Sequence, residues 1–198
     1  MLLIYATTLF VSALLLFLVQ PMVGKMILPA LGGTPAVWNT CMVFFQALLL
    51  AGYAYAHGAV RIFGVRGQSA VHLGLLLLPI VLSVTGLLVV LPIAIDTSGV
   101  PTSVDNPVGW LLIRLLIGVG LPFFVVSSNA PVLQMWFSRT GHSASADPYF
   151  LYSASNTGSL LALLGYPLVV ERLLAVDRQS GLWYAGYGLL CGLALGCA

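Results

Sequence analysis

Charge is so sparse in this chain that long intervals run without any. No Asp, Glu, Lys or Arg occurs before Lys25, between Lys25 and Arg61, between Arg66 and Asp96, or after Arg178. Roughly a quarter of the residues of a soluble domain are charged; here the share is 6%, against 60% hydrophobic residues. Too little polar surface remains to cover a water-facing globule. A bilayer-crossing helix needs about 20 apolar residues, and the charge-free intervals supply that length repeatedly. The expected fold is all-α: a polytopic integral membrane protein of about six transmembrane helices in one compact bundle. It is read as a single transmembrane domain over 1–198, without a soluble domain. The partner that composition implies is the lipid bilayer. Nucleic acid is not expected, because a net charge of +2 comes without any basic run.

The apolar runs place the spans at 2–23, 36–60, 71–94, 108–129, 148–170 and 181–198. Thr34-Pro35, Asn106-Pro107 and Asp147-Pro148 each pair a capping side chain with a proline in the first helical position. Ser180 before Gly181 is read as a similar start for the sixth span. The N-terminus lacks a basic flank, and its apolar run exceeds a signal-peptide core, so it is read as a retained span. Arg61, Arg66 and Arg139 cluster in short loops, which places the N-terminus in the cytoplasm, although Lys25, Arg172 and Arg178 balance them by count.

Polar side chains inside the runs are the candidate functional positions. Asn39, Gln46, Tyr53 and His57 recur at helical spacing on one face of the second span, within about 40° of each other. Tyr152 and Asn156 repeat the pattern on the fifth span, with Tyr149, Ser153 and Ser159 nearby. Hydrogen-bonding groups are costly against lipid, so these faces should look toward protein or water. They either line a polar cavity or bond between helices. Arg114 lies within the fourth span, where it either snorkels to the interface, pairs with an acid or meets a substrate. Lys25 and Glu171, at span ends, read as interfacial anchors. Ser127, Ser128, Asn129 and Pro131 read as the place where the fourth span breaks, with Gln134 and Trp136 in the headgroup region. Two small-residue faces, Ala154/Gly158/Ala162 and Gly188/Gly192/Gly196, predict close packing of the fifth helix on the sixth, or of the sixth on another chain.

No catalytic constellation is legible, so the chain is not read as an enzyme. Cys41, Cys191 and Cys197 lie in apolar runs without paired spacing and read as buried thiols; His57, His72 and His142 form no metal-binding pair. No cofactor and no metal are expected.

The stretches LFLVQPMVGKMILPALGGTPAVWNTCMVFFQALLLAGYAYAH (16–57), LPFFVVSSNAPVLQMWFSRTGH (121–142) and DPYFLYSASNTGSLLALLGYPLVVE (147–171) carry a likeness. They resemble the membrane portion of bacterial fused transporter/spermidine-synthase proteins. That resemblance implies a bundle like half of a major-facilitator transporter in a bacterial inner membrane, followed by an aminopropyltransferase domain. Nothing in 1–198 resembles the glycine-rich nucleotide loop of such a domain. In HGAVRIFGVRGQ, Gly58, Arg61 and Arg66 match the loop between the second and third major-facilitator helices, but its acid is missing. The leading expectation is a non-catalytic membrane subunit that packs with other integral membrane subunits into a larger assembly. Alternatives are a half-transporter acting as a homodimer on a small polar solute, and the membrane anchor of a synthase-like enzyme whose soluble domain is absent from this chain.

Overall fold

The computed structural model describes residues 1–100, 107–146 and 148–198, and these are helical with no strand. Among the described residues three helical stretches are long and apolar enough to cross a membrane: Leu2–Leu31, Pro35–Val84 and Val108–Ser138.

Helix α1 (Leu2–Leu31) runs through Pro21 and Pro29, eight residues beyond the expected span end. Helix α2 (Pro35–Val84) begins as expected: Thr34 Oγ1 accepts from the Val37 N–H at 3.4 Å, and Pro35 follows the cap. As a straight rod its 50 residues would reach about 75 Å, more than twice a bilayer core. Gly64 prevents that. Its φ of 66° lies in the left-handed region that only glycine enters without strain, and the helix folds into two arms there. Gln68 Nε2 donates to the Ala56 carbonyl at 2.8 Å, although twelve residues of straight helix would separate them by about 18 Å. The expected spans 36–60 and 71–94 are therefore the arms of one interrupted helix.

The second arm stops at Val84, not at 94. Gly86 adopts a φ of 72°, and Ser83 Oγ accepts the Val90 and Leu91 N–H groups. The apolar run misleads because Val90, Leu91 and Ile93 are buried as a loop folded back onto the bundle. A Cβ at Gly118 would sit 2.6 Å from the Ala94 carbonyl oxygen, which shows how closely that loop lies.

Next comes a nearly continuous column: α3 (Val108–Leu115), a π turn (Leu116–Gly120) and α4 (Leu121–Ser138). The expected break at 127–131 is absent, because the helix passes through Pro131. Ser127 and Ser128 do not satisfy groups freed by that proline. Their hydroxyls donate backwards to the Phe124 and Val125 carbonyls, each at 2.8 Å. The irregularity falls instead at the π turn beside Pro122, where a widened turn absorbs a missing donor. Helix α5 (Tyr149–Gly165) ends in a second π turn (Tyr166–Val170) around Pro167. A short α6 (Glu171–Leu173) and α7 (Val176–Cys197) complete the chain. Ser180 is no cap: α7 starts four residues earlier, and Ser180 Oγ donates to the Ile93 carbonyl at 2.5 Å. The other two expected caps, Asn106 and Asp147, lie outside the described residues.

Helix α1 is central. It lies along α5, α7 and α4, while α4 also lies along α2. The fifth helix therefore packs on the first and not on the last. Gly158 is the reason: a Cβ there would overlap the Phe10 carbonyl oxygen and stand 3.3 Å from the Leu14 nitrogen, so only glycine allows this backbone approach. Ala162 is fully buried beside it and Ala154 half-buried. A Cβ added at Gly188 or Gly192 would meet nothing within 4 Å, so their face is open, while one at Gly196 would meet only the flexible end of Ile4. Helix α7 is held by hydrogen bonds from its opposite side: Trp183 Nε1 to the Leu15 carbonyl at 2.9 Å and Tyr187 Oη to the Leu76 carbonyl at 2.8 Å. The core between these helices is apolar, with Leu9, Val19, Leu115, Phe123, Tyr187 and Leu190 almost or wholly inaccessible.

Candidate functional site

The most unusual chemistry sits where both arms of α2 meet α4. His72 and Asn129, each fully inaccessible, are bonded side chain to side chain, with Nε2 and Oδ1 2.7 Å apart. An amide oxygen only accepts, so Nε2 carries the proton and Nδ1 of a neutral ring is left with a lone pair. The Tyr55 ring stacks on the imidazole at 5.9 Å, and the Trp136 ring forms a T-shaped pair with it at 5.8 Å. Gln68, one turn before His72, is equally inaccessible.

This cluster is unsatisfied. Tyr55 Oη, Gln68 Oε1, His72 Nδ1, Asn129 Nδ2 and Trp136 Nε1 are all buried without a hydrogen-bond partner among the described residues. Orphaned buried polar groups are rare because each costs roughly 1–3 kcal/mol. Two acceptors, two donors and a hydroxyl that can do either form a complementary set. Sequence reading placed Ser128 and Asn129 among the candidates but missed His72, Gln68 and Tyr55, and it put Trp136 in the headgroups. The overlooked signal was Gln68 and His72 four residues apart within an apolar run.

The two expected polar stripes lie elsewhere. Asn39, Gln46, Tyr53 and His57 do share one face of α2, but that face is exposed; Tyr152 and Asn156 on α5 are exposed too. The stripes point outward from this chain, because apolar side chains of α1, α4 and α7 already fill the interior. The Asn39, Gln46, Tyr152 and Asn156 side chains make no hydrogen bond within the described residues, and His57 reaches only the Tyr53 carbonyl of its own helix. The stripes are not brought together with the buried cluster.

Between the start of α2 and the end of α5, a cleft of about 430 Å³ opens onto α1, lined by Gln20, Lys25, Trp38, Leu163 and Glu171. Lys25 Nζ lies 3.5 Å from Glu171 Oε1 and also reaches the Glu171 carbonyl. These residues are therefore a pair across the cleft more than separate anchors. Trp38 leans over α1 at Gly24, where a Cβ would stand 3.2 Å from its ring.

Arg114 belongs to none of these sites. Its Nη1 meets Asp96 Oδ2 at 2.6 Å, its Nη2 donates to the Ser98 carbonyl at 2.9 Å, and its guanidinium lies 5.4 Å from the Trp110 ring centre. It ties the 85–100 loop to α3. Hydrogen bonds from Ser98, and then the Arg114 charge, hold the Asp96 carboxyl below the usual carboxylate range. The three cysteines are buried and unpaired with one another. No protein-family model matches this chain, and no match is found among the curated proteins or the solved structures.

Proposed function

We propose that the chain is a non-catalytic membrane subunit of six passes that a further helix bundle completes. The passes are α1, the two arms of α2, the α3–α4 column, α5 with its π turn, and α7. The observation that carries this reading is the outward direction of Asn39, Gln46, Tyr53 and Asn156 on a bundle whose own core is already full. In hydrocarbon such side chains want partners, and a second bundle covering the α2 and α5 faces would supply them. The open Gly188/Gly192 face on α7 suits close approach by another helix in the same way. The likeness of 16–57, 121–142 and 147–171 to the membrane half of fused transporter/synthase proteins fits a bundle that works beside another domain, in a bacterial inner membrane with its N-terminus cytoplasmic.

The cleft over α1 favours a second reading, a homodimeric half-transporter. Two copies meeting across α2 and α5 would enclose Gln20, Lys25 and Glu171 between them, and alternating access needs two such halves. Arg114 has no place in that cavity, being tied to Asp96.

Purification in mild detergent tests the proposal. The expected result is a particle heavier than one 21.0 kDa chain after correction for bound detergent. A mass of two chains favours the homodimer, and other polypeptides in fixed ratio favour the larger assembly. A strictly monomeric chain counts against both.

A further inference from the structure

At the end of the bundle where the arms of α2 turn, a cavity of about 680 Å³ is lined by Arg66, Ser69, Trp136, Arg139 and Thr140, with Tyr5 on its apolar side. Among the described residues no Asp or Glu lines it, so the side chains described there carry a charge of +2. Met1 and Ala198 also border it and, where their backbone ends are charged, oppose each other. Neither guanidinium makes an ion pair or a hydrogen bond within the described residues, whereas Lys25 and Arg114 both have acids.

The donors can be counted. Ser69 Oγ already donates to the Arg66 carbonyl at 2.8 Å, and Thr140 Oγ1 to the Phe137 carbonyl at 2.9 Å. Their oxygens remain as acceptors, and their protons are committed. The free donors are the two guanidinium forks, both on exposed residues, whereas the indole N–H of Trp136 is buried beside His72. Two guanidinium groups without an acid, lining one cavity, call for an oxyanion. Guanidinium forks match the oxygens of phosphate particularly well.

We infer that this cavity binds a phosphate group, with Arg66 and Arg139 as its cationic clamp. The inference rests on the bilayer placement proposed above only for the source of the phosphate, not for the pocket itself. With the helices spanning a membrane, Arg66 after the Gly64 fold and Arg139 after the end of α4 lie at helix ends, at headgroup depth. Basic pockets between helices at that depth take anionic lipid headgroups. Tyr5 and the apolar Val65 and Gly196 leave room for the glycerol and the first acyl carbons. A free phosphate offers the same oxygens without the chains.

The full chain in neutral detergent tests this, with phosphatidylglycerol or phosphatidylcholine added and retained lipid counted by native mass spectrometry. A second arm follows thermal unfolding with inorganic phosphate against chloride at equal ionic strength. The expected result is preferential retention of phosphatidylglycerol, weakened by roughly tenfold or more in Arg66→Gln/Arg139→Gln. Arg61→Gln, which removes an exposed charge from the same α2 fold without lining the cavity, should leave retention unchanged. If phosphate alone stabilises the wild type but not the double variant, and lipid is not retained, the pocket stands and its ligand is the free ion. Equal lipid retention by the double variant together with no phosphate effect overturns the inference, as does an equal loss in Arg61→Gln. Circular dichroism and elution volume verify that each variant is folded. Failure of the chain to float with liposomes would sink the bilayer placement, while the phosphate arm would still report on the pocket.

Discussion

Gly158→Leu is expected to lose about 3 kcal/mol or more of stability, the upper range for forcing side-chain atoms into a packed site. The obstacle is backbone: the new Cβ alone would overlap the Phe10 carbonyl oxygen, and neither α1 nor α5 can yield locally. A better helix propensity than glycine returns at most ~1 kcal/mol. The control is on α7, where Gly188→Leu and Gly192→Leu meet open space and should not destabilise the isolated chain, gaining at most ~1 kcal/mol from helix propensity. Unfolding in mixed micelles, followed by circular dichroism, separates the two cases. A Gly158→Leu protein as stable as wild type would mean that α5 does not cross α1 there.

The second large effect is expected in the buried cluster. Asn129→Leu removes the partner of His72 Nε2 and leaves an imidazole with both nitrogens unsatisfied in a fully enclosed site. The expected cost is about 1–3 kcal/mol, nearer the lower figure if the surroundings are lipid-embedded, where such bonds measure less than in water. His72→Leu alone should also destabilise, by orphaning Asn129 Oδ1. The double variant should cost clearly less than the two singles added, because it leaves neither group unpaired. Strict additivity in that cycle would show that the two side chains are not coupled.

Much of the architecture was legible because it depends on solvent. Charge-free intervals fix the helical class, and Thr34-Pro35 marks a helix start where it is found. What escaped depended on tertiary fit. The run through 85–94 reads as helix because its residues are apolar, yet Ser83 and Gly86 end the arm and the loop is apolar because it is buried. Pro131 reads as a breaker by local rules, but the serines before it bond backwards and packing on α2 carries the helix through. The small-residue face of α5 was recognised and its partner was not, since spacing shows that a face is flat and not which helix lies on it. For the polar stripes, periodicity gives the shared face, and only the filled core tells which way it turns. His72 was passed over in a search for metal spacing, whereas its partner Asn129 is 57 residues away.

Whether another bundle covers the polar faces decides the account, and spin-label accessibility in bilayers measures this directly. Nitroxides at Asn39, Gln46 and Asn156 would be compared with one at Leu116, an exposed apolar position on the α3–α4 column, in a variant whose native cysteines are replaced. The three polar sites are expected to be shielded from oxygen dissolved in the lipid, while Leu116 is fully accessible to it. Oxygen collision rates at all three equal to that at Leu116 would contradict the proposal, because these side chains would then face hydrocarbon uncovered.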